Sequence, residues 1–120
     1  MKTVLIIEDN LEIRENTGEI LELTGFTVLS SDNGRHGITL AVDSKPDVIL
    51  CDIMMPGIDG YQVIRELKAN PLTASIPFIY ITASCEKSEV KLAMDMGAYG
   101  YIRKPFDVDE LVQLINTCVE

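Results

Sequence analysis

The chain has 120 residues, of which 47% are hydrophobic and 24% are charged, a balance typical of one soluble globular domain over residues 1–120. Its formal charge of −9, from 19 acidic and 10 basic residues, argues against direct binding of nucleic acid. No apolar stretch approaches the roughly 20 residues that cross a bilayer, so membrane insertion is not expected.

Apolar runs alternate with amphipathic segments along the chain, which is the pattern of repeated βα units. The third, fourth and fifth runs are nearly all apolar, which favours a parallel, doubly wound sheet buried on both faces. The predicted strands are Thr3 to Ile7, Thr27 to Ser30, Asp47 to Cys51, Phe78 to Ile81 and Tyr99 to Arg103.

Apolar residues at helical spacing predict a helix after each of these strands. Gly25, Lys45-Pro46 and Asn70-Pro71 are expected to end the first three helices, and Asp32-Asn33-Gly34 is a turn signal. The helical stripes are Ile13, Ile20 and Leu21; Ile38, Ala41 and Val42; Val63, Ile64 and Leu67; Val90, Ala93 and Met94; and Leu111, Val112 and Ile115.

Polar residues follow four of the five predicted strands. Glu8-Asp9 follows the first strand, Asp52 the third, Thr82 the fourth, and Lys104 the fifth strand after Arg103. Because ligands of open parallel sheets bind at the carboxyl ends of the strands, these side chains are expected to converge on one site. Crowded carboxylates repel one another, so the cluster requires a cation.

These residue types point to a metal and phosphoryl site. Asp52 is the candidate nucleophile, since a carboxylate can carry a phosphoryl group as a mixed anhydride. Glu8 and Asp9 would complete a magnesium site of oxygen ligands, and Thr82 would donate its hydroxyl to a phosphoryl oxygen. A cis bond between Lys104 and Pro105 would aim the lysine inward. Taken alone, Glu8-Asp9 is equally explained as an acidic start to a helix.

The chain resembles the receiver domains of bacterial two-component response regulators along essentially its whole length. The resemblance lies in the acidic pair Glu8-Asp9, the block from Asp52 to Gly60, Thr82-Ala83, and Lys104-Pro105-Phe106, all in order. It implies a flavodoxin-like fold with strand order 2-1-3-4-5 and five helices.

The resemblance also implies roles for individual residues. Asp52 would accept the phosphoryl group, and magnesium (or manganese as a substitute) would be bound by Asp9, Asp52 and the backbone carbonyl of Met54, with Glu8 acting through water. Lys104 would pair with the phosphoryl group. Thr82 and Tyr101 would form a switch pair, in which the hydroxyl moves toward the phosphoryl group and the ring turns inward.

The same resemblance implies the partners. The donor would be a phosphohistidine of a sensor kinase or a phosphotransfer domain, and the output a downstream protein or a fused domain. The domain would be a monomer or a weak dimer after activation, since the charged dimer contacts usual in regulators with a winged-helix output domain have no counterparts here. Its expected output face comprises the fourth helix, the fifth strand and the last helix, with Lys87, Lys91, Asp95, Arg103, Tyr99 and Val119.

Two positions that flank the site, Met54 and Ser84, are uncharged. Two other functions stay open: a phosphatase with a nucleophilic aspartate, which would need a second acid where Met54 stands, and a receiver-like interaction module that is not phosphorylated. The odd number of cysteines, Cys51, Cys85 and Cys118, favours free thiols in a reducing compartment. The first strand begins within three residues of the amino terminus, so we expect a cytoplasmic protein.

Overall fold

The computed structural model describes residues 2–83 and 86–119, and within these ranges strands and helices alternate. None of the helices in these ranges is long and apolar enough to cross a membrane. The strands are β1 (Thr3–Ile7), β2 (Thr27–Ser31), β3 (Val48–Asp52), β4 (Phe78–Thr82) and β5 (Gly100–Arg103). The helices are α1 (Leu11–Leu23), α2 (Gly34–Ser44), α3 (Gly60–Ala69), α4 (Lys87–Asp95) and α5 (Val108–Val119).

The five strands form one parallel sheet in the order β2-β1-β3-β4-β5. The fold class and strand order expected from the sequence are therefore confirmed. β1 lies between β2 and β3, so the chain changes its direction of winding at this strand. In such sheets the crevice at the switch point, outside the carboxyl ends of the strands, is where ligands bind.

Two apolar layers cover the sheet because successive side chains of a strand point to opposite faces. On one face, Val4 and Ile6 of β1 pack with Leu21 of α1 and with Leu111 of α5. On the other face, residues of β1, β3 and β4 pack with α2, α3 and α4: Leu5, Ile7, Ala41, Ile49, Val63, Ile64, Leu67, Phe78, Tyr80 and Ala93.

Side-chain caps begin α1, α2 and α3. The Oδ1 atom of Asn10 accepts a hydrogen bond from the Ile13 N–H at 3.0 Å, and that of Asp59 accepts one from Gln62 at 2.9 Å. Asn33 caps α2 in the same way, at 2.8 Å from the His36 nitrogen. Residues 32 and 33 form the predicted turn, and Gly34, its third residue, begins α2. Three residues separate β1 from α1 and two separate β2 from α2, whereas seven separate β3 from α3.

The bounds of β2, β3, β4 and β5 differ from the prediction by one residue at one or both ends, and β5 also differs in burial. β3 includes Asp52, which pairs with Ile81 of β4, so this carboxylate belongs to the sheet rather than to the loop after it. β5 is not buried on both faces, because it is an edge strand: Ile102 is buried, whereas Tyr101 and Arg103 are exposed. The apolar character of the run from Tyr99 to Ile102 was therefore a poor guide to its burial.

Tyr80 generates a prediction about stability. Its ring is fully buried and contacts Phe78 edge to face, with centroids 4.9 Å apart, yet its hydroxyl has no hydrogen-bond partner among the residues that the structure describes. A buried polar group without a partner is unfavourable, so Tyr80→Phe should raise the free energy of unfolding by about 1 kcal/mol. Denaturant unfolding measures this change, and Tyr99→Phe, on an exposed ring, is the matched control. A clear loss of stability in Tyr80→Phe would show that the hydroxyl is satisfied.

Candidate functional site

Three carboxylates lie together at the carboxyl edge of the sheet. Glu8 and Asp9 follow β1, and Asp52 ends β3, the strand that pairs with β1. One carboxylate oxygen of each residue lies within 4.8 Å of the other two. The convergence follows from the topology, because neighbouring parallel strands end at the same edge. The structure thus brings together the three acids that the sequence pattern predicted to meet.

Lys104 reaches the cluster from the loop that follows β5. Its Nζ atom lies 2.7 Å from Oε1 of Glu8 and 3.2 Å from Oδ2 of Asp52. Its backbone N–H donates to the carbonyl oxygen of Thr82 at 2.7 Å, and the peptide bond to Pro105 is cis. Lys104 therefore forms ion pairs with two carboxylates, one after β1 and one at the end of β3.

The charge state of Lys104 follows from these contacts. Partial burial on its own lowers the pKa of the ammonium, but the hydrogen bond to Glu8 and the charges of Asp52 and Glu8 outweigh it. The pKa of Lys104 consequently lies above its ordinary value of 10.5. The side chain remains protonated at neutral pH and acts as the counter-ion of the acidic cluster.

Glu8 is buried, and both its side chain and its backbone form hydrogen bonds. Only 1% of its side chain is exposed, and its Oε2 atom accepts a hydrogen bond from the Asn10 N–H at 3.2 Å while Oε1 accepts from Lys104. Its backbone N–H donates to the carbonyl oxygen of Ser31 at 3.0 Å. Because both carboxylate oxygens already accept hydrogen bonds, Glu8 is less suited than Asp9 to bind a metal ion directly.

Asp9 and Asp52 differ in exposure. Asp9 is exposed, whereas Asp52 retains 7% of its accessible surface. The pKa of Asp9 is raised above 3.8 by partial burial, by a hydrogen bond with the Glu8 side chain and by the charge of Glu8. The surroundings of Asp9 therefore disfavour its ionised form in the absence of a cation, and they favour the binding of one.

The residues present fit a magnesium ion. Three carboxylates and one ammonium leave two formal negative charges, which one divalent cation would neutralise. Carboxylate oxygens are the ligands that magnesium prefers, and the ion commonly keeps several waters, which the exposed side of Asp9 can admit. Asp9 and Asp52 would hold the ion, with Glu8 behind them.

Met54 lies two residues beyond β3, and 79% of its side chain is exposed. Its backbone carbonyl accepts no hydrogen bond from any residue that the structure describes, so the oxygen is available as a ligand. The side chain itself offers neither a charge nor a hydrogen-bond donor. Ser84, the other flanking position, lies outside the described residues.

Thr82 and Tyr101 border one small cavity under α4. Thr82 is buried at the end of β4, one residue beyond the partner of Asp52, and Tyr101 is 39% exposed on β5. The cavity is small: its volume of about 10 Å³ is roughly enough for one water molecule. Its remaining lining residues are Ile53, Tyr80, Glu89, Val90 and Ala93.

Two contacts of the site were missed in the sequence. Gly60 begins α3 against the end of β3, where a Cβ atom would lie 2.6 Å from the carbonyl oxygen of Asp52. The only indication in the sequence was a glycine shortly before the apolar stripe of the third helix. Arg14 of α1 donates from Nη1 to the carbonyl oxygen of Glu8 at 2.9 Å. The only indication of this contact in the sequence was a single basic residue in a helix that is otherwise acidic.

Neutralising Asp9 should stabilise the metal-free protein. The pKa of Asp9 is higher in the folded protein than its ordinary 3.8, so the ionised carboxylate lowers stability at neutral pH. This penalty is present above the folded-state pKa and disappears as the pH falls toward 3.8. Asp9→Asn should therefore raise the midpoint of thermal unfolding in the presence of a chelator at neutral pH, and the gain should shrink in acid.

The control for this experiment is Asp43→Asn, at an exposed position of α2 outside the cluster. It should leave the midpoint almost unchanged at both pH values. A midpoint for Asp9→Asn below that of the wild type at neutral pH would show that the carboxylate is stabilising in the folded protein.

Similarity to known proteins agrees with this geometry. A family model of the response regulator receiver domain matches residues 4–116. The phosphate regulon transcriptional regulatory protein PhoB of Pseudomonas aeruginosa is 41% identical over 111 residues, which are 92% of this chain and 48% of PhoB. The protein PilH of the same species is 36% identical over 116 residues, covering 97% of this chain and 96% of PilH. The chain thus spans about half the length of PhoB but nearly all of PilH.

Solved structures give the same result. A response regulator receiver domain protein from Clostridium thermocellum superposes with a TM-score of 0.92 at 29% identity, over 99% of this chain and 94% of the other. The chemotaxis protein CheY4 of Vibrio cholerae has a TM-score of 0.94 at 24% identity, over 98% of both chains, and this likeness shows the fold. Because the family model covers nearly the whole sequence, the chain belongs to the response regulator receiver domain family.

Proposed function

We propose that this chain is a phosphorylation-controlled switch of a two-component system, in which Asp52 accepts the phosphoryl group. The observation that carries the proposal is the cluster at the carboxyl edge of the sheet. It combines three carboxylates whose oxygens lie within 4.8 Å with a lysine 3.2 Å from Asp52. Membership of the receiver family supports the same function. The 120 residues would form one domain that directs phosphoryl transfer only onto itself.

The chemistry follows from the position of Asp52. A carboxylate oxygen of Asp52 attacks the phosphorus of a phosphohistidine, and the new P–O bond forms while the P–N bond breaks. The electron pair of that bond stays on the imidazole, which takes up a proton from solvent. Lys104 can follow the developing charge onto the phosphoryl oxygens because its Nζ atom already contacts Asp52. The Thr82 hydroxyl would donate to another of these oxygens.

A divalent cation would neutralise the negative charge that gathers as the phosphoryl group approaches the carboxylates. Asp9, Asp52 and the carbonyl oxygen of Met54 would bind magnesium, or manganese in its place, and Glu8 would act through water. The hydrogen bonds accepted by both carboxylate oxygens of Glu8 and the exposure of Asp9 support this division of roles.

The geometry supports a phosphatase acting on other substrates less well. A phosphatase with a nucleophilic aspartate would need an acid at position 54, where the exposed side chain of Met54 offers no group that transfers protons. A receiver-like module without phosphorylation normally lacks one of the key residues, whereas Asp9, Asp52 and Lys104 are all present here.

The proposed donor is a sensor histidine kinase or a phosphotransfer domain, and the proposed target is a downstream protein or a fused output domain. We place the domain in the cytoplasm, without nucleic-acid or membrane contacts of its own. The cysteines of the described residues, Cys51 and Cys118, are free thiols, which agrees with a reducing compartment.

Replacement of Asp52 tests the proposal. Incubation with a small phosphodonor and magnesium should add one phosphoryl group to the wild type, in a bond labile to hydroxylamine, and Asp52→Asn should abolish it. Intact-mass spectrometry measures the addition. Asp43→Asn is the matched control and should be labelled normally, while a chelator should stop labelling of the wild type. Undiminished labelling of Asp52→Asn would refute the assignment.

Thr82 and Tyr101 are proposed to transmit the change to the face formed by α4, β5 and α5. Their shared cavity supports this, because it places the exposed ring of Tyr101 beside Thr82. The cavity has room for about one water molecule, so it would have to widen as the ring turns inward. The face combines exposed charges, including the ion pair of Lys91 and Asp95 at 2.8 Å, with the exposed ring of Tyr99. Such a mixture suits contact with a protein or weak self-association on activation.

Beryllofluoride, which mimics a phosphoryl group on Asp52, should reveal this coupling. Two-dimensional amide spectra should change most around Asp52, from Thr82 to Lys87, and from Tyr99 to Lys104, since a switch must reach beyond the site. Intermediate shifts are expected, because the ligand moves the equilibrium only by its preference for the active state. Changes confined to Asp52 and the loop after β1 would show that Tyr101 is not a switch residue.

A further inference from the structure

Arg14 hydrogen-bonds to a backbone carbonyl rather than to a carboxylate. It is the sole basic residue of α1, a helix that carries four glutamates, and it enters no ion pair among the described residues. Its guanidinium instead donates from Nη1 to the backbone carbonyl of Glu8 at 2.9 Å. A cation that bonds a neutral carbonyl in preference to nearby carboxylates is fixed by geometry rather than by charge attraction alone.

The start of α1 explains how Arg14 reaches this carbonyl. Side chains of a helix lean toward its amino terminus, so a residue in the second turn extends over the preceding loop. The Arg14 N–H donates to the carbonyl of Asn10 at 2.9 Å, and the Asn10 side chain caps the helix at Ile13. The loop from Glu8 to Asn10 and the first two turns of α1 are therefore linked by side-chain and backbone bonds.

The bond to Glu8 controls the direction of the next residue. A peptide unit is planar, so fixing the carbonyl of Glu8 also fixes the amide nitrogen of Asp9 and the path of its backbone. The Glu8 N–H is fixed as well, by the carbonyl of Ser31 at 3.0 Å. The exposed side chain of Asp9 lacks comparable support from packing.

We propose that Arg14 is a positioning residue of the phosphoryl-transfer site, which holds the loop after β1 so that the Asp9 carboxylate remains within ligand distance of Asp52. The proposal rests on the function proposed above, since it concerns how the magnesium ligands are oriented. Arg14 touches neither carboxylate of the pair and acts through the backbone of Glu8.

A positioning role and a purely electrostatic role of Arg14 predict opposite effects of its removal on magnesium affinity. A positive charge near the acidic cluster opposes the binding of a cation, so removing it should strengthen magnesium binding if charge were all that mattered. If Arg14 positions Asp9, its removal should weaken binding even though every ligand remains. The sign of the change therefore distinguishes the two roles.

The test is calorimetric titration of magnesium into the complete chain. Arg14→Ala should raise the dissociation constant about tenfold, as when a group that supports a metal ligand is removed. Arg14→Lys, which keeps a donor of similar reach, should recover part of the affinity. Arg65→Ala, at an exposed position of α3, is the matched control and should bind as the wild type does.

A second measurement uses the metal-free protein. Amide signals of Asp9 and Asn10 should shift in Arg14→Ala while those of β4 and β5 stay in place, which also shows that the variant is folded. Equal or tighter magnesium binding by folded Arg14→Ala would overturn the positioning role and leave the proposed function intact. Failure of the wild type to bind magnesium would overturn both.

Discussion

The contact of Lys104 with Glu8 and Asp52 is the interaction on which the rest of the site depends. Three carboxylates within 4.8 Å repel one another, and a protein holds such a group only with positive charge beside it. Lys104 supplies that charge at 2.7 Å and 3.2 Å from two of them. The single ammonium relieves part of the repulsion between the carboxylates, so the folded protein can hold them together. The cluster keeps a net negative charge and therefore still attracts a further cation.

The fold delivers these groups through its strand order. β1 and β3 are neighbours, which places Glu8, Asp9 and Asp52 at one edge, while Lys104 arrives after the edge strand β5. Side-chain caps begin α1, α2 and α3 after these strands. Gly60 lets α3 begin against the backbone of Asp52, where any larger residue would displace the strand end. Chemistry at the site is therefore linked to packing of the whole sheet.

Alternating apolar runs and helical stripes were sufficient to predict the sheet and the convergence of the four strand ends, since both follow from chain topology. The predicted turn at residues 32–34 leads directly into α2, and Asn33 serves both structures for the same reason, since its side chain bonds nearby backbone N–H groups. The edge position of β5 could not be read from its apolar run, because burial depends on what packs there.

The role of Arg14 was also beyond sequence reasoning. A single arginine in an acidic helix suggests an ion pair, and only the structure shows that its partner is the Glu8 carbonyl. The hydroxyl of Tyr80, which has no partner in the described part of the chain, is similar, since a tyrosine in an apolar strand does not reveal whether its oxygen is bonded. Whether such a contact forms depends on small differences in the distance between two atoms, which the sequence does not reveal.

A crystal structure with magnesium and beryllofluoride bound to Asp52 measures the fate of the central interaction directly. We expect the Nζ atom of Lys104 to lie within hydrogen-bond distance of a fluoride on Asp52, and its present 2.7 Å contact with Glu8 to be lengthened or lost. Beryllofluoride seated on Asp52 with Lys104 still bonded only to Glu8 would contradict the assignment of this lysine as the partner of the phosphoryl group.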